Sequence, residues 1–179
     1  MIGNILKNNL VVKRLVYIIS YLIAMAFISA CGNHNKKISI DQKELPIRID
    51  GKLDFINPDG SLLSSIFIEI ADTAQAQTKG LMERDSLDQF YGMLFVFQKI
   101  KVQKFRMLNT RIPLDIIFID EDGCICNIVQ NAAPMSTQTY QSSRPIKYTV
   151  EVQGNFTKRF KINENTCIQW VRFWPGHFL

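Results

Sequence analysis

The chain has 179 residues, of which 47% are hydrophobic and 21% are charged, a composition typical of a globular domain with additional segments. Its formal net charge is +5, but Lys7, Lys13 and Arg14 lie in the first thirty residues, which contain no acidic residue, so the remainder carries +2. No basic stripe interleaved with aromatic residues is left in that remainder, which argues against nucleic acid as a partner.

The first thirty residues have the pattern of a secretory signal peptide. Basic residues precede an apolar run from Leu15 to Ala30, and the run ends in small residues. The run is short for a bilayer span, which takes about 20 apolar residues. We therefore predict a signal peptide over residues 1–30, with an uncleaved membrane anchor as the alternative.

The end of this run, Ile28-Ser29-Ala30-Cys31-Gly32, resembles the lipobox of bacterial lipoproteins. In that class a lipid is attached to the cysteine thiol and the chain is cut just before it, which implies lipidation at Cys31 and a membrane as partner. Two or more acyl chains hold a protein stably on a membrane surface. Gly32 stands where inner-membrane lipoproteins of Gram-negative bacteria tend to carry Asp, so the resemblance implies a cell-envelope protein on the outer membrane, facing the periplasm.

Residues 31–45 are polar and lack periodicity, which predicts a flexible tether between the lipid and a domain over residues 46–179. Within the domain, alternation from Ser64 to Ala71 predicts a strand. Asp72 or Thr73 can then cap a helix that Gly80 ends.

The rest of the domain has the pattern of further strands. The apolar run at residues 92–97 and a hairpin over residues 114–130 are the clearest of them. Residues 131–146 form a long polar segment, which predicts a functional or mobile loop. The other predicted strands lie at residues 103–107, 148–153, 156–162 and 167–173.

Many short strands and one helix predict a mainly β chain, folded as a compact antiparallel single domain of sandwich or barrel type. The helix lacks a wide apolar stripe, so we expect one short helix on the surface of the sheet. Helices and strands do not alternate in the way that a parallel α/β sheet requires.

Four cysteines occur, and with Cys31 lipidated the remaining three are Cys124, Cys126 and Cys167. They allow at most one intrachain disulfide, in a compartment that permits such bonds. A bond between Cys124 and Cys126 would be strained within one strand, so we expect Cys167 bridged to one of that pair, or no bridge. The CxC spacing differs from the CxxC redox pattern, and neither histidine has ligand spacing. We therefore predict no metal and no cofactor.

Four blocks of the sequence together resemble the family called DUF192 or UPF0127. They read TKGLMERDSL (78–87), YGMLFVF (91–97), MLNTRIPLDIIFIDEDG (107–123) and YTVEVQGNF (148–156). They occur in the order of the family pattern, and the resemblance extends from about Ile66 to Phe173. It implies a compact, mainly β domain of sandwich or barrel type, in a family whose biochemical role is not established.

The chain departs from the family pattern in one block. Where the family usually has Trp-Met-Lys-Asn-Thr, this sequence has Arg106-Met107-Leu108-Asn109-Thr110. A cation thus replaces an aromatic residue, and an apolar residue replaces a cation. If the lysine of the family contacts a ligand, this member lacks that contact.

Polar residues crowd the entrance of the strand that begins at Leu114. Pro113 interrupts strand pairing, so we expect residues 109–113 at the rim of the sheet. Asp115 shares a face with Ile117 and Ile119, and a carboxylate on an inner face needs partners. Two interpretations stay open: Asp115 holds a loop through backbone amides, or it belongs to a small ligand pocket. The ligand-binding residues predicted for such a pocket are Arg84, Met107, Asn109, Thr110 and Asp115.

Two functional classes follow from these patterns. The first, which we favour, is a non-catalytic binding or accessory domain, displayed on a lipid anchor in the cell envelope, with a small ligand or an envelope protein as partner. The second is a hydrolase or lyase with Asp115 and Glu151 as acid and base, although an exposed strand position would explain Glu151 equally well. The sequence contains no GxSxG or HExxH motif and no phosphate-binding glycine loop, and we assign no catalytic residue.

Overall fold

The computed structural model describes residues 48–173, so the predicted signal peptide, the predicted tether and the lipidation residue Cys31 lie outside the described range. Inside it the protein is mainly β, as predicted, and no helix is long and apolar enough to cross a bilayer. The strands are β1 (Gly51–Ile56), β2 (Leu62–Ala71), β3 (Tyr91–Lys101), β4 (Lys104–Phe105), β5 (Leu114–Ile119), β6 (Ile125–Ala132), β7 (Tyr140–Gln141), β8 (Ile146–Gln153) and β9 (Cys167–Arg172). The helices are α1 (Ala74–Lys79) and α2 (Phe156–Arg159).

Seven strands form one sheet, in the order β6-β5-β8-β3-β2-β1-β9, while β4 pairs with β7 in a separate two-stranded ribbon. Neighbours in the large sheet are antiparallel except β2 and β3, which are parallel. The sheet is thus mixed rather than wholly antiparallel. Parallel strands need a crossover connection, which is formed here by residues 72–90 and contains α1. It brings the chain back to the end of the sheet at which β2 begins, so that β3 runs in the same direction as β2.

The seven-stranded sheet curls until its two edges meet at one end. The amide of Ile125 donates a hydrogen bond to the Thr166 carbonyl (3.0 Å), and the amide of Ile168 donates one to the Gly123 carbonyl (2.7 Å). These bonds join the start of β6 to the start of β9. The fold is therefore barrel-like at this end, and part of each exposed sheet edge is removed.

A disulfide between Cys124 and Cys167 crosses the same seam, and Cys126 keeps a free thiol. This pairing is one of the two outcomes expected from three cysteines. The bonded residues are separated by 43 positions in the sequence. For a loop of that length, restriction of the unfolded chain contributes roughly 4 kcal/mol to the free energy of unfolding.

Both faces of the curled sheet are buried over its central strands β3, β8 and β5, whereas the convex face of β1 and β9 is partly or fully exposed. The concave face carries an apolar core to which all seven strands contribute. The convex face carries a second core, covered by the segments that precede β3 and β5, which contribute Leu81, Leu87, Met107 and Ile112. All six residues of β5 are buried because this strand packs against both cores. Burial on two faces accounts for the continuous apolar runs in the sequence.

Two segments differ from their predicted structure. Residues 156–162, predicted as a strand, contain α2, and the loop predicted over residues 131–146 contains the end of β6 and all of β7. Phe156 and Phe160 are one helical turn apart, and their ring centroids lie 4.6 Å from each other. Phe156 also packs against Phe55 in the concave core. Burial of this helical face therefore decides the local structure.

Candidate functional site

A cavity of about 500 Å³ opens on the convex face, between α1, β3, β4 and the loop that precedes β5. Its volume lies in the range of small-molecule sites. All four sequence blocks that resemble DUF192 contribute to its lining. The lining residues from these blocks are Thr78, Lys79, Gly80, Leu81, Met82, Phe95, Phe97, Leu108, Thr110 and Glu151.

The short helix α1 forms one wall of the cavity. Its N-cap is Thr73, whose Oγ1 accepts a hydrogen bond from the Ala76 amide at 3.2 Å, and Gly80 ends it, as the sequence predicted. The side-chain amide of Gln77 donates hydrogen bonds to the carbonyls of Ala71 (3.2 Å) and Val96 (2.9 Å). Since none of the helical residues is buried, these two bonds help to attach α1 to the end of β2 and to the middle of β3.

Because Gly80 has no side chain, it does not block access to the interior of the cavity. Its φ of 48° lies in the left-handed region, which glycine adopts without steric cost. A Cβ at this position would lie 3.4 Å from Cζ of Phe95 and 3.8 Å from Oε2 of Glu151. A side chain here would therefore stand in front of the Glu151 carboxyl.

Glu151 is the buried acidic residue of the cavity. It lies on β8 opposite Met93 of β3 and Ile116 of β5, on the convex face, and only 7% of the residue is exposed. The exposed strand position considered for Glu151 is therefore wrong, because the covering segments bury this face of the sheet. Within residues 48–173, no hydrogen-bond donor and no cation pairs with its carboxyl group.

Burial controls the protonation of this carboxyl group. Removal from water disfavours the charged form and raises the pKa of Glu151 from 4.5 to about 8. The group is then mostly protonated at neutral pH. A protonated carboxyl has one O–H donor beside its acceptor lone pairs, so Glu151 can exchange hydrogen bonds in both directions with a group that enters the cavity.

The rest of the lining combines a cluster of aromatic rings, three cations at the opening and the uncharged polar side chains of Gln77, Thr78, Gln103 and Thr110. Phe95 and Phe97 are buried, and the half-buried ring of Phe105 packs edge-on against Phe95, with centroids 5.1 Å apart. The opening carries three exposed cations, which form none of the ion pairs found within residues 48–173. These cations are Lys79, Lys104 and Arg106.

Asp115, a predicted ligand-binding residue, holds three backbone segments together. It is fully buried. Its Oδ1 accepts hydrogen bonds from the amides of Asn131 (2.7 Å) and Asn155 (3.0 Å), and its Oδ2 accepts from the amide (2.8 Å) and hydroxyl (2.6 Å) of Thr157. This geometry matches the interpretation in which Asp115 holds loops through backbone amides.

Asp115 and Glu151 lie on opposite faces of the sheet. Asp115 is opposite Val152 on β8, whereas Glu151 is opposite Ile116 on β5. Directly opposed residues share a face and consecutive residues alternate between faces. The two carboxyl groups therefore cannot flank one scissile bond, and the alternative of a hydrolase or lyase that uses them as an acid/base pair is wrong.

Arg84, also predicted to bind a ligand, forms an ion pair with Glu69, with Nη2 2.6 Å from Oε1. The side chains are only 11% and 8% exposed, respectively. Glu69 and Glu151 lie on opposite sides of Met93 in the sheet register, so the ion pair is on the convex face, one strand beyond the cavity. Arg84 and Asp115 bond to different residues and do not form the shared cluster that we predicted.

The other three predicted residues belong to the tight turn before β5. Met107 is buried in the convex core, and its carbonyl accepts a hydrogen bond from the Thr110 amide at 3.2 Å. Asn109 has a left-handed φ of 54°, and its carbonyl accepts from the Glu83 amide at 2.8 Å. Of the five predicted residues, Thr110 lines the cavity. Ligand binding by these residues stays a prediction.

Both departures from the DUF192 pattern lie at the cavity. Arg106, in place of the aromatic residue of the pattern, and Leu108, in place of the lysine, line its opening. Sequence reasoning did not assign Lys79, Gly80 or Arg106 to a site. The signal that could have found them is their presence in, or next to, the blocks that carry the resemblance.

Within residues 48–173, no group of three or more His, Cys, Asp or Glu side chains is arranged to hold a metal ion. The thiol of Cys126 accepts a hydrogen bond from Nε of Arg144 at 3.0 Å, and Nη2 of Arg144 donates to Asp120 at 2.6 Å.

Comparison with solved structures finds the same fold in several chains, among them two bacterial proteins. A candidate transcription regulator from Sinorhizobium meliloti 1021 is 28% identical with a TM-score of 0.66, over 70% of this chain and 97% of that chain. A protein of unknown function from Novosphingobium aromaticivorans DSM 12444 is 31% identical with a TM-score of 0.63, over 66% of this chain and 84% of that chain.

Comparison with family models gives the family of the domain. No curated protein matches the chain significantly. The model of DUF192, described as an uncharacterized ACR, matches residues 55–170. The matched range begins in β1 and ends in β9, so it includes at least part of every strand of the fold and the whole lining of the cavity. This chain is a member of the DUF192 family.

Proposed function

We propose that the protein is a cell-envelope lipoprotein whose DUF192 domain binds a small ligand, without catalysis, in the cavity lined by Glu151. The observation that carries this proposal is a buried carboxyl group with no partner in the described chain, directed into a cavity of about 500 Å³. A cavity in which a buried polar group converges with aromatic and aliphatic side chains has the features of a ligand site.

An unpartnered buried carboxyl is costly for folding. Burial disfavours its charged form, and within residues 48–173 no donor or cation compensates for that cost. An apolar residue at position 151 would serve the convex core better, since Met93 and Ile116, its neighbours across the sheet, are buried apolar residues. Stability is commonly traded for function at binding sites. Binding of a ligand that forms hydrogen bonds with the carboxyl group would explain why a glutamate occupies this buried position.

Binding is favoured over catalysis by the groups that surround Glu151. General acid–base chemistry uses two groups whose environments separate their pKa values. Asp115 faces the other core, and the other charged groups of the cavity lining are the cations Lys79, Lys104 and Arg106. These cations are suited to recognition of a negatively charged group on a ligand.

The proposed ligand site is tested by Gly80→Ala, with Gly60→Ala as its matched control. Both glycines have positive φ, so both substitutions strain the backbone, but a Cβ at Gly60 has no neighbour within 4 Å. We expect a thermal-shift screen of small molecules to give hits that stabilise wild type and Gly60→Ala, since a ligand stabilises by mass action. Gly80→Ala should lose most of that shift, because its methyl group stands before Glu151. Equal shifts in both variants, or a screen without hits, would contradict the proposal.

The envelope anchor is supported by independent features. The apolar run ends in the lipobox-like sequence that contains Cys31. The Cys124–Cys167 disulfide suits a compartment outside the reducing cytosol. Gly32, after the lipidated cysteine, favours the outer membrane over the inner one. The polar residues 31–45 then tether the domain to the membrane surface.

Removal of the acylated thiol tests the anchor. We expect Cys31→Ser to yield an uncleaved precursor or a protein that leaves the membrane fraction, because the site of lipid attachment is lost. Cys126→Ser, which removes the free thiol of the domain, should leave fractionation unchanged. Intact-mass measurement and membrane fractionation give the result. A wild-type protein that stays with membranes without an acyl mass would refute lipidation.

A further inference from the structure

We propose that the ligand of the Glu151 cavity is a small organic acid with an apolar body, bound with its anionic group among Lys79, Lys104 and Arg106. This assignment rests on the proposed ligand-binding function and names the chemistry of the ligand. It follows from three observations on the cavity: the aromatic interior, the charge at the opening, and the hydrogen-bonding state of Glu151.

The interior of the cavity selects an apolar body. Phe95 and Phe97 on β3 and Phe105 on β4 present their rings to it, and Leu81 adds an aliphatic wall. The rings of Phe95 and Phe105 pack edge to face, 88° apart in plane. Aromatic surfaces fixed in this way gain energy by covering an apolar or aromatic group and have no hydrogen bonds to offer it.

The opening selects an anion. Lys79 at the end of α1 and Lys104 and Arg106 in and beside β4 approach it from two sides. Their charges are not neutralised by any ion pair found in the described chain. A cavity with low-dielectric walls and one sign of charge concentrates ligands of the opposite sign. A cationic ligand would have to enter past all three cations.

Glu151 selects a hydrogen-bond acceptor on the ligand. The charged groups that face it across the cavity are Lys79, Lys104 and Arg106, while the Arg84–Glu69 pair lies beyond Met93. Burial raises the pKa of Glu151 to about 8, so the free cavity holds a protonated carboxyl that donates its O–H. Binding of an acceptor to this form should be strongest below the pKa and weaken as pH rises through it.

The test uses three probes that share one body, 3-(4-cyanophenyl)propanoate, 3-(4-cyanophenyl)propanamide and 3-(4-cyanophenyl)propylamine. Their nitrile nitrogen is the acceptor for the O–H of Glu151, and the opposite end of each probe meets the three cations. Calorimetric titration into the full chain in non-ionic detergent gives the Kd of each at pH 7 and pH 9. We expect the acid to bind at least about tenfold more tightly than the amine. Its Kd should rise about tenfold between the two pH values, as the protonated fraction of Glu151 falls.

Substitutions identify which side chains cause the preference for the acid and which cause the pH dependence of its Kd. The double variant Lys104→Gln/Arg106→Gln should weaken binding of the acid several-fold, whereas Lys99→Gln/Lys101→Gln, which removes two exposed cations of β3 outside the cavity lining, should not. Glu151→Gln keeps a donor at the same place and should abolish the tenfold change with pH.

The outcomes separate this inference from the function on which it rests. Tighter binding of the amine or the amide, a pH dependence that persists in Glu151→Gln, or equal effects of the two double variants would overturn the organic-acid assignment and leave a ligand-binding cavity. Failure of all three probes would also overturn the assignment. The proposed function itself would be overturned only if the broader screen gave no hits, or if ligands stabilised Gly80→Ala as much as they stabilise Gly60→Ala.

Discussion

Glu151→Gln is expected to stabilise the domain by about 3 kcal/mol at pH 7 and by about 5 kcal/mol above pH 8.5. The carboxyl titrates with a pKa near 4.5 when exposed and about 8 in the folded protein. Between these values the unfolded chain ionises first, so each pH unit costs the wild type about 1.4 kcal/mol of stability. The amide does not titrate and avoids this cost.

The expected pH dependence of the stability difference is measured by urea unfolding of wild type and Glu151→Gln over a range of pH values. Below pH 4.5 the carboxyl is protonated in both states, so wild type and Glu151→Gln should unfold at similar urea concentrations. The difference should grow from pH 5 to pH 8 and then remain constant. Glu121→Gln, in an exposed turn, is the control and should show no such growth. Parallel stability profiles for wild type and Glu151→Gln over this range would show that the buried carboxyl carries no folding cost.

Asp115→Ala should destabilise the domain by about 4–6 kcal/mol. The carboxylate accepts four hydrogen bonds, three of them from backbone amides, in a site with no exposure to solvent. Its loss leaves these donors buried without an acceptor, at a cost of about 1–3 kcal/mol each, offset in part by removal of a buried charge. Asp115→Asn should cost less, about 1–3 kcal/mol, because one carbonyl oxygen is retained.

Urea unfolding of the two variants distinguishes structural from ligand-binding roles of Asp115. Asp122→Ala, in the exposed turn between β5 and β6, is the control and should change stability by less than about 0.5 kcal/mol. If Asp115→Asn kept full stability but lost binding of the ligands found by the screen, Asp115 would be a ligand group rather than the residue that holds the loops. The complete burial of Asp115 would then have to be explained by something other than its hydrogen bonds to the loops.

Local sequence signals were sufficient for several elements of the fold. Alternation of apolar and polar residues predicted β2. Asp72 or Thr73 was expected to cap α1 and Gly80 to end it, and the structure selects Thr73, because capping depends only on neighbouring residues. The face of Asp115 followed from the two-residue period of a strand. The cysteine count limited the disulfides to one, and the strand spacing of Cys124 and Cys126 left two outcomes, Cys167 bridged to one of them or no bridge; the first is observed.

Other features depend on contacts between distant segments. The parallel pairing of β2 with β3 is set by the path of the crossover, and α2 forms because Phe156 is buried in the barrel. The partners of Asp115 come from residues 131, 155 and 157, which the sequence does not place beside it. Such contacts are set by packing of the whole domain rather than by local propensity.

Glu151 illustrates the difference between what local sequence signals determine and what tertiary contacts determine. The pattern of β8 assigns its side chain to the face opposite Val150 and Val152, and that assignment is correct. A period of two distinguishes faces, but it does not say whether the second face meets water. The segments that contain Leu81 and Met107 fold over the convex face and bury it. Tertiary packing alone thus changed an apparently exposed glutamate into a protonated group inside a cavity.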